Sequence, residues 1–275
     1  MNTFNIGGRL LQLDSPLIMG VINITPDSFY DESRILDPDK LIQRVNEMID
    51  EGVDIVDLGA FSSRPGAKTI TAEEECSRLI PAVKLLRTTF PDIVLSVDTY
   101  RSKVLEQVVD HSACIVNDIS GYEKDPDILN IVRSNNLPYV LMHMQGSPEN
   151  MQDDPNYADV SFEIIDFMAA KLHDLKQKGI EQIIIDPGFG FGKTLEHNFQ
   201  LLNNLEAFKI FEKSILVGLS RKSMIYKLLD TTPDKALNGT SIAHTIALMN
   251  GADILRVHDV REARECVRIC KALKN

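Results

Sequence analysis

Short runs of aliphatic residues recur along the chain, and most are followed by a longer segment with apolar residues at helical spacing. An uninterrupted apolar run is typical of a parallel strand that is buried on both faces. These runs predict the strands Leu17–Ile22, Asp54–Leu58, Ile93–Val97, Ala113–Val116, Pro138–Met142, Gln182–Ile185, Ser214–Leu219 and Asp253–Val257.

The alternation of strands and helices predicts one α/β domain over residues 1–275, because no Pro/Ser-rich linker divides the chain. Eight strand–helix units at this length fit a (β/α)8 barrel, the TIM-barrel fold. A doubly wound open sheet is the alternative. Before the repeating part, Phe4–Leu13 alternates around Gly7-Gly8, which predicts an N-terminal β-hairpin that plugs the bottom of the barrel.

Capping signals mark two of the helices. Asp37, followed by a proline, starts a helix that Gly52 ends. Thr71 and Glu74 have the spacing of a capping box for the next helix. The inward face of the first helix is predicted to comprise Leu41, Val45, Met48 and Ile49.

Composition narrows the class of protein. A net charge of −11 argues against general nucleic-acid binding, although a local basic cluster could still hold a small anion. The four cysteines lack metal-ligand spacing. The N-terminus does not resemble a signal peptide, and no apolar run is long enough to span a membrane. These features predict a cytoplasmic protein without membrane or nucleic-acid partners.

Polar and charged residues follow nearly every predicted strand. In a barrel the C-terminal strand ends converge on one mouth, where chemistry takes place. Turn chemistry alone would favour Gly, Pro and Ser at these positions. The residues are Asn23, Arg64, Asp98, Asn117, His143, Asp186, Lys222, Arg256 and His258.

This set divides into two kinds of chemistry. Donors and acceptors from the middle strands suit a flat heterocycle with an amino-pyrimidine edge, because a carboxylate can accept two parallel N–H bonds. They are Asp98, Asn117, Asp186 and Lys222. A cluster from the first, second and eighth strands suits a phosphate. It comprises Asn23, Arg64, Arg256 and His258. The long loops after the first two strands are predicted to be lids.

Three motifs do not support other activities. The segment Phe191–Thr194 is similar to the end of a Walker A loop, but Pro187 stands where the first glycine is needed. The segment Gly218–Lys222 is not a nucleophile elbow, because lysine replaces its second glycine. His143 has no metal partner at helical spacing, which favours a hydrogen-bonded wall residue.

Eight segments in order along the chain resemble the dihydropteroate synthase family. One of them, Asp186–Lys193, reads Asp-Pro-Gly-Phe-Gly-Phe-Gly-Lys. The others are Met19–Phe29, Ser62–Ala67, Ser96–Tyr100, Val116–Gly121, Leu141–Gly146, Gly218–Ser223 and Leu255–Asp259. The resemblance implies a (β/α)8 barrel, usually a homodimer, that works with Mg²⁺. It implies condensation of 6-hydroxymethyl-7,8-dihydropterin diphosphate with 4-aminobenzoate to 7,8-dihydropteroate and pyrophosphate, a step of folate synthesis.

The resemblance also implies roles for particular residues. Asp98, Asn117, Asp186 and Lys222 would hold the pterin. The phosphate-binding set would hold the diphosphate, and its member Asn23 would also contact the metal. The aminobenzoate pocket, which sulfonamides occupy, would be bounded by Ser63, Pro65, Phe191, Ser220 and Lys222. Further substrate contacts would come from Ile119, Met142 and Gly190. The residues expected to act in catalysis are Arg64, Asp98, Lys222 and Arg256.

The second loop departs from the family pattern, with Phe61 in place of a glutamate and Ser63 in place of a threonine. The missing methyl group at Ser63 predicts a slightly looser aminobenzoate pocket, which bears on sulfonamide affinity. The expected mechanism begins with loss of diphosphate, which leaves a cationic methylene for the arylamine to attack. It needs no nucleophilic side chain, only positioning and electrostatic stabilisation.

Three other functions remain open at this point. A pterin-binding methyltransferase acting on a corrinoid protein would share the pterin acids, but it has no use for Arg64. A Schiff-base aldolase would use Lys222 as its amine. A non-catalytic pterin-binding relative would be expected to lose the motifs of the first two loops, which are largely present.

Overall fold

The computed structural model describes residues 3–24, 37–61, 70–147, 150–151 and 153–274. The chain begins with the predicted hairpin, in which β1 (Thr3–Ile6) pairs antiparallel with β2 (Arg9–Gln12). Gly7 and Gly8 form its turn with φ of 60° and 92°, a region that glycine enters without steric cost.

Eight further strands, all parallel, close into a barrel in the order β10-β3-β4-β5-β6-β7-β8-β9. The predicted (β/α)8 fold is therefore confirmed, and the open-sheet alternative is wrong. The strands are β3 (Leu17–Asn23), β4 (Ile55–Gly59), β5 (Val94–Asp98), β6 (Ile115–Asp118), β7 (Tyr139–Met142), β8 (Ile183–Asp186), β9 (Ser214–Val217) and β10 (Ile254–Val257).

Side chains fill the bottom of the barrel. Because neighbouring residues of a strand point to opposite faces, each strand contributes an inward apolar side chain at this end, and we call this set the bottom layer. This bottom layer packs as one buried apolar cluster with Phe4 and Ile6 of the hairpin. Its members are Met19, Ile55, Val94, Ile115, Val140, Ile184, Leu216 and Ile254. The predicted plug is thus confirmed.

Helices pack around the barrel and bury their apolar faces against the outward side chains of the strands. The α-helices are α1 (Pro38–Glu51), α2 (Ala72–Thr89), α3 (Ser102–Val109), α4 (Ile128–Ser134), α5 (Val160–Gln177), α6 (Leu195–Asn203), α7 (Ser223–Leu228), α8 (Leu237–Met249) and α9 (Val260–Lys274). Short 3-10 helices span Leu205–Phe211 and Pro233–Lys235. Within the described part of the chain, no helix has the length and apolar content needed to cross a membrane.

The capping predictions are confirmed in part. The Asp37 carboxylate accepts from the Lys40 amide at the start of α1, and Gly52 ends that helix with φ 93°. Leu41, Val45 and Met48 are buried as predicted, but Ile49 is 39% exposed, because it lies just beyond the edge of the apolar stripe. The capping box of α2 is half formed: Thr71 accepts from the Glu74 amide, whereas the Glu74 carboxylate pairs with Arg78 one turn later.

Candidate active site

The C-terminal halves of the strands replace the apolar bottom layer with polar side chains. The inward position two residues beyond each bottom-layer residue forms what we call the middle layer. It comprises Val21, Asp57, Ser96, Asn117, Met142, Asp186, Gly218 and Arg256. Above it, strand register aligns Asn23 with Gly59 and Gly59 with Asp98. The fold therefore brings side chains that are distant in sequence to one level of the mouth.

Arg256 on β10 forms the centre of an ion-pair cluster. Its Nε lies 2.7 Å from Asp57 Oδ2, and its Nη2 lies 2.8 Å from Asp98 Oδ2. Asp57 Oδ2 also accepts from Asn117 Nδ2 at 3.2 Å. Arg256, which the sequence analysis placed in the phosphate-binding set, thus lies among the acids and is shared by two carboxylates.

Two carboxylates facing one guanidinium leave an excess negative charge. Burial raises the pKa of Asp98 to about 7, Arg256 opposes the shift and the neighbouring Asp57 adds to it. Asp57 Oδ1, Asp98 Oδ1 and Ser96 Oγ are buried and lack a hydrogen-bond partner among the described residues. Buried acceptors without partners are costly, so these atoms suit a ligand that brings N–H or O–H donors.

Asp186 and Lys222 lie on the other side of the mouth. Asp186 Oδ1 accepts from the Gly188 amide at 2.8 Å, and burial raises the pKa of its carboxyl. The Lys222 ammonium donates to the Phe189 carbonyl and lies 4.7 Å from the centre of the Phe191 ring. Burial lowers the pKa of Lys222 to about 8, against the opposing attraction of Asp186.

A serine–histidine contact lies at the ends of β9 and β10. Ser220 Oγ is 3.0 Å from His258 Nδ1 and accepts from the His258 amide at 3.2 Å. Next to it, the Arg221 guanidinium forms two hydrogen bonds with the Asp259 carboxylate at 2.8 and 2.7 Å. These bonds hold the loops after β9 and β10 together.

Further predicted site residues lie at the ends of β6 and β7. Ile119 and Met142 are buried at the ends of β6 and β7. His143 is a hydrogen-bonded wall residue, as predicted, with its Nδ1 3.1 Å from Lys193 Nζ. The predicted site residues of the loop after β4, and most of both predicted lids, lie outside the described residues. These site residues are Ser63, Arg64 and Pro65.

Oxygen donors suitable for a magnesium ion flank Gly59. A methyl group built there would lie 3.7 Å from both Asn23 Oδ1 and Asp98 Oδ2. Mg²⁺ prefers such oxygen ligands and often takes the rest from water and substrate phosphates. The described residues contain no group of three or more His, Cys, Asp and Glu side chains that could hold a metal. The donor set thus fits a cation that is shared with a phosphate ligand.

Comparison with known proteins agrees with this geometry. The family model described as "Pterin binding enzyme" matches residues 19–258. The chain is 41% identical to dihydropteroate synthase of Escherichia coli K12 over 267 residues, which covers 96% of this chain and 94% of that protein. The chain belongs to the dihydropteroate synthase family. The family's enzyme from Clostridium beijerinckii is also 41% identical, over 94% of this chain and 92% of its own.

Solved structures of the family share the architecture. Dihydropteroate synthase from Yersinia pestis, in a complex with a sulfonamide drug, superposes with a TM-score of 0.91 at 39% identity, covering 99% of this chain and 98% of its own. The Xanthomonas albilineans enzyme with 4-aminobenzoic acid gives a TM-score of 0.91 at 35% identity, with 99% and 98% coverage. In this dihydropteroate synthase fold Phe61, which differs from the family pattern, packs edge-on against Tyr100 with 5.5 Å between the ring centres.

Sequence reasoning missed Asp57 and Ser96. Both are fully buried, and both point inward one layer below the strand ends. The signal was present in the alternation of inward and outward residues along the strand. Asp57 is an acid in an otherwise apolar strand, and it points inward because it lies two residues after Ile55. Counting by two along each strand would have found both residues.

Proposed function

We propose that the chain joins 6-hydroxymethyl-7,8-dihydropterin diphosphate to 4-aminobenzoate, giving 7,8-dihydropteroate and pyrophosphate for folate synthesis. The observation that carries the proposal is the cluster at the mouth, in which Arg256 bridges two buried carboxylates while the Oδ1 atom of each lacks a partner among the described residues. The E. coli relative at 41% identity is a dihydropteroate synthase, which supports the same reaction.

The pterin would be held by Asp98, Asn117, Asp186 and Lys222. Asp98 Oδ1 has no hydrogen-bond partner in the described part of the chain, so it can accept from the amino-pyrimidine edge of the ring. Carboxylates facing the ring favour positive charge on it. They therefore stabilise the ring when the C–O bond from the exocyclic methylene to the diphosphate breaks and pyrophosphate leaves with the electron pair.

The diphosphate would be bound by Asn23, Arg64, Arg256 and His258. Arg256 can serve both sides of the reaction, because its guanidinium carries five donors and only Nε and Nη2 contact the two aspartates. Asn23 Oδ1 would contact Mg²⁺, which takes further ligands from water and substrate phosphates. When bound, Mg²⁺ would offset the charge of the diphosphate.

The aminobenzoate pocket would be bounded by Phe191, Ser220 and Lys222, together with Ser63 and Pro65. The amine nitrogen of 4-aminobenzoate attacks the cationic methylene, a C–N bond forms, and the nitrogen releases a proton. The X. albilineans relative with 4-aminobenzoic acid supports this pocket. The Y. pestis relative with a sulfonamide supports the proposal that sulfonamides compete there.

The reaction is tested by pyrophosphate release. The purified chain, the pterin diphosphate and 4-aminobenzoate should release pyrophosphate with Mg²⁺ and much less of it with EDTA. Omission of 4-aminobenzoate is the control. No release under any of these conditions overturns the proposal. Transfer of a methyl group to a corrinoid protein, or borohydride trapping of a carbonyl compound on Lys222, would assign one of the other functions instead.

Alkaline pH should weaken capture of the pterin diphosphate. The pKa of Lys222 is about 8, so above this pH the amine loses its charge and a hydrogen-bond donor. We expect kcat/KM for the pterin diphosphate to fall as the pH rises through about 8, since this ratio reports ionisations of the free enzyme. In Lys222→Arg the guanidinium stays charged, so the fall of kcat/KM should move to higher pH. If the fall stays at the same pH, the ionisation of Lys222 is not its cause.

We propose that the chain is a homodimer. Three large apolar side chains on α8 are 42–55% exposed at helical spacing: Ile242, Ile246 and Met249. The neighbouring α9 exposes Ile269 and Leu273. Large exposed apolar side chains on two neighbouring helices suit association. Ile246→Glu should shift the species seen in sedimentation velocity from dimer to monomer, whereas Ile210→Glu, at another exposed site, should not. A wild-type monomer contradicts this prediction.

A cytoplasmic location also belongs to the proposal. All four cysteines are buried thiols, which suits a reducing compartment.

A further inference from the structure

The loop after β8 adopts a conformation that depends on its glycines. Gly188, Gly190 and Gly192 have φ of 73°, 81° and 61°, the left-handed region. A side chain at Gly188 would collide with the His143 carbonyl, and one at Gly192 with the Gln145 carbonyl. The loop over residues 188–192, here called the glycine loop, therefore lies directly against the loop that follows β7.

A buried lysine fixes the glycine loop from within the protein. Lys193 Nζ lies 2.8 Å from the Gly188 carbonyl, 3.0 Å from the Phe191 carbonyl and 3.1 Å from His143 Nδ1. Lys193 is only 2% exposed. The Lys193 amine thus contacts three polar atoms, and burial lowers the pKa of Lys193 well below its usual value while attraction to Asp186 opposes the shift. Burial lowers the pKa of His143 to about 3, so its imidazole is neutral and Nδ1 can accept.

Two more side chains hold the glycine loop. Lys222 donates to the Phe189 carbonyl from the mouth, and the Phe191 ring lies beside the same ammonium group. Tyr157 Oη donates to the Gly192 carbonyl at 2.8 Å. The carbonyls at 188 and 191 thus accept from Lys193 in the interior, the carbonyl at 189 accepts from Lys222, and the Phe191 ring lies beside the Lys222 ammonium group.

We infer that Lys193 is a positioning residue for the arylamine substrate, acting through the glycine loop on Phe191. The inference rests on the proposed function, which puts Phe191 in the aminobenzoate pocket. Without Lys193 the carbonyl of Phe191 loses its donor, whereas the Gly188 carbonyl still accepts from the Phe191 amide at 3.1 Å. The hydrogen bonds of Asp186 with the Gly188 amide and of Lys222 with the Phe189 carbonyl do not involve Lys193. The loss therefore acts mainly on the aminobenzoate pocket.

The test compares KM values of three variants. Lys193→Met keeps the side-chain length and removes the hydrogen bonds of the amine, and we expect KM for 4-aminobenzoate to rise about tenfold, with a smaller change for the pterin diphosphate. Tyr157→Phe removes one hydroxyl and should raise the same KM about threefold. Lys171→Met is the matched control, because the partly buried Lys171 donates to the Gly121 carbonyl and pairs with Glu123 at a different loop. It should change neither KM.

The unfolding temperature is measured for each variant to separate positioning from stability. Selective increases in the aminobenzoate KM for both Lys193→Met and Tyr157→Phe support the inference. It is overturned if the KM values keep their wild-type ratio while the unfolding temperature falls, because Lys193 would then only stabilise the fold. If the wild-type chain itself releases no pyrophosphate, the proposed function is wrong and the inference fails with it. If Lys193→Met does not fold, Tyr157→Phe alone decides.

Discussion

Replacing Arg256 with alanine should lower kcat about 10³-fold, the size expected when a donor to a developing negative charge is removed. Arg256 is the cation that contacts both Asp57 and Asp98, and it is proposed to bind the departing diphosphate. The substitution also leaves two buried carboxylates without a cation, which costs about 3 kcal/mol of unfolding free energy. Steady-state pyrophosphate release and chemical denaturation measure the two effects.

A second substitution separates activity from folding. In Arg256→Ala combined with Asp57→Asn, one of the uncompensated carboxylates is gone, so most of the lost stability should return. Activity should not return, because the guanidinium is still absent. If the double variant recovers both, Arg256 acts only through the fold. Full activity of Arg256→Ala with the diphosphate substrate would show that its assignment is wrong.

The barrel could be predicted because each strand is an almost pure apolar run with a clear end. Such runs need cover on both faces, and eight of them with intervening helices leave few architectures open. Side-chain exposure at the margin of a helix was harder to predict. Ile49 is apolar like a core residue, yet it lies at the edge of the apolar face of α1. At this edge a small rotation of the helix about its axis decides how exposed the side chain is.

The position of several predicted site residues at strand ends could be predicted, but the pairings between side chains could not. Asn23, Asp98, Asn117 and Asp186 all terminate or closely approach the ends of strands, as expected. The orientation of Arg256 depends on closure of the barrel, because β10 reaches Asp57 and Asp98 only once it pairs with β3. That contact spans 158 residues or more of sequence, so no local pattern encodes it.

Asp98 and Asp118, two buried aspartates at the same end of the barrel, should respond in opposite ways to replacement by asparagine, one losing activity and the other stability. Asp118 has four donors: the amide and hydroxyl of Ser120, both at 2.7 Å, the Tyr122 amide at 2.9 Å and the Tyr139 hydroxyl at 2.7 Å. Asp98 has Arg256 on one oxygen and no described partner on the other. Satisfied oxygens indicate a structural role, and an unpartnered oxygen at the mouth indicates a binding role.

We therefore expect Asp98→Asn to lower kcat/KM for the pterin diphosphate about 10²-fold with a small change in unfolding temperature, because it weakens both the Arg256 pair and the contact with the ring. Asp118→Asn should instead lose about 3 kcal/mol of stability, since its amide would direct N–H groups at Ser120 or Tyr139 donors. Its folded fraction should keep wild-type kcat/KM. The reverse result, a stable but inactive Asp118→Asn beside an active Asp98→Asn, would move the pterin site to the outer face of β6. Because both changes replace one carboxylate oxygen with nitrogen in a buried setting, a difference between them reports what each aspartate contacts rather than how deeply it is buried.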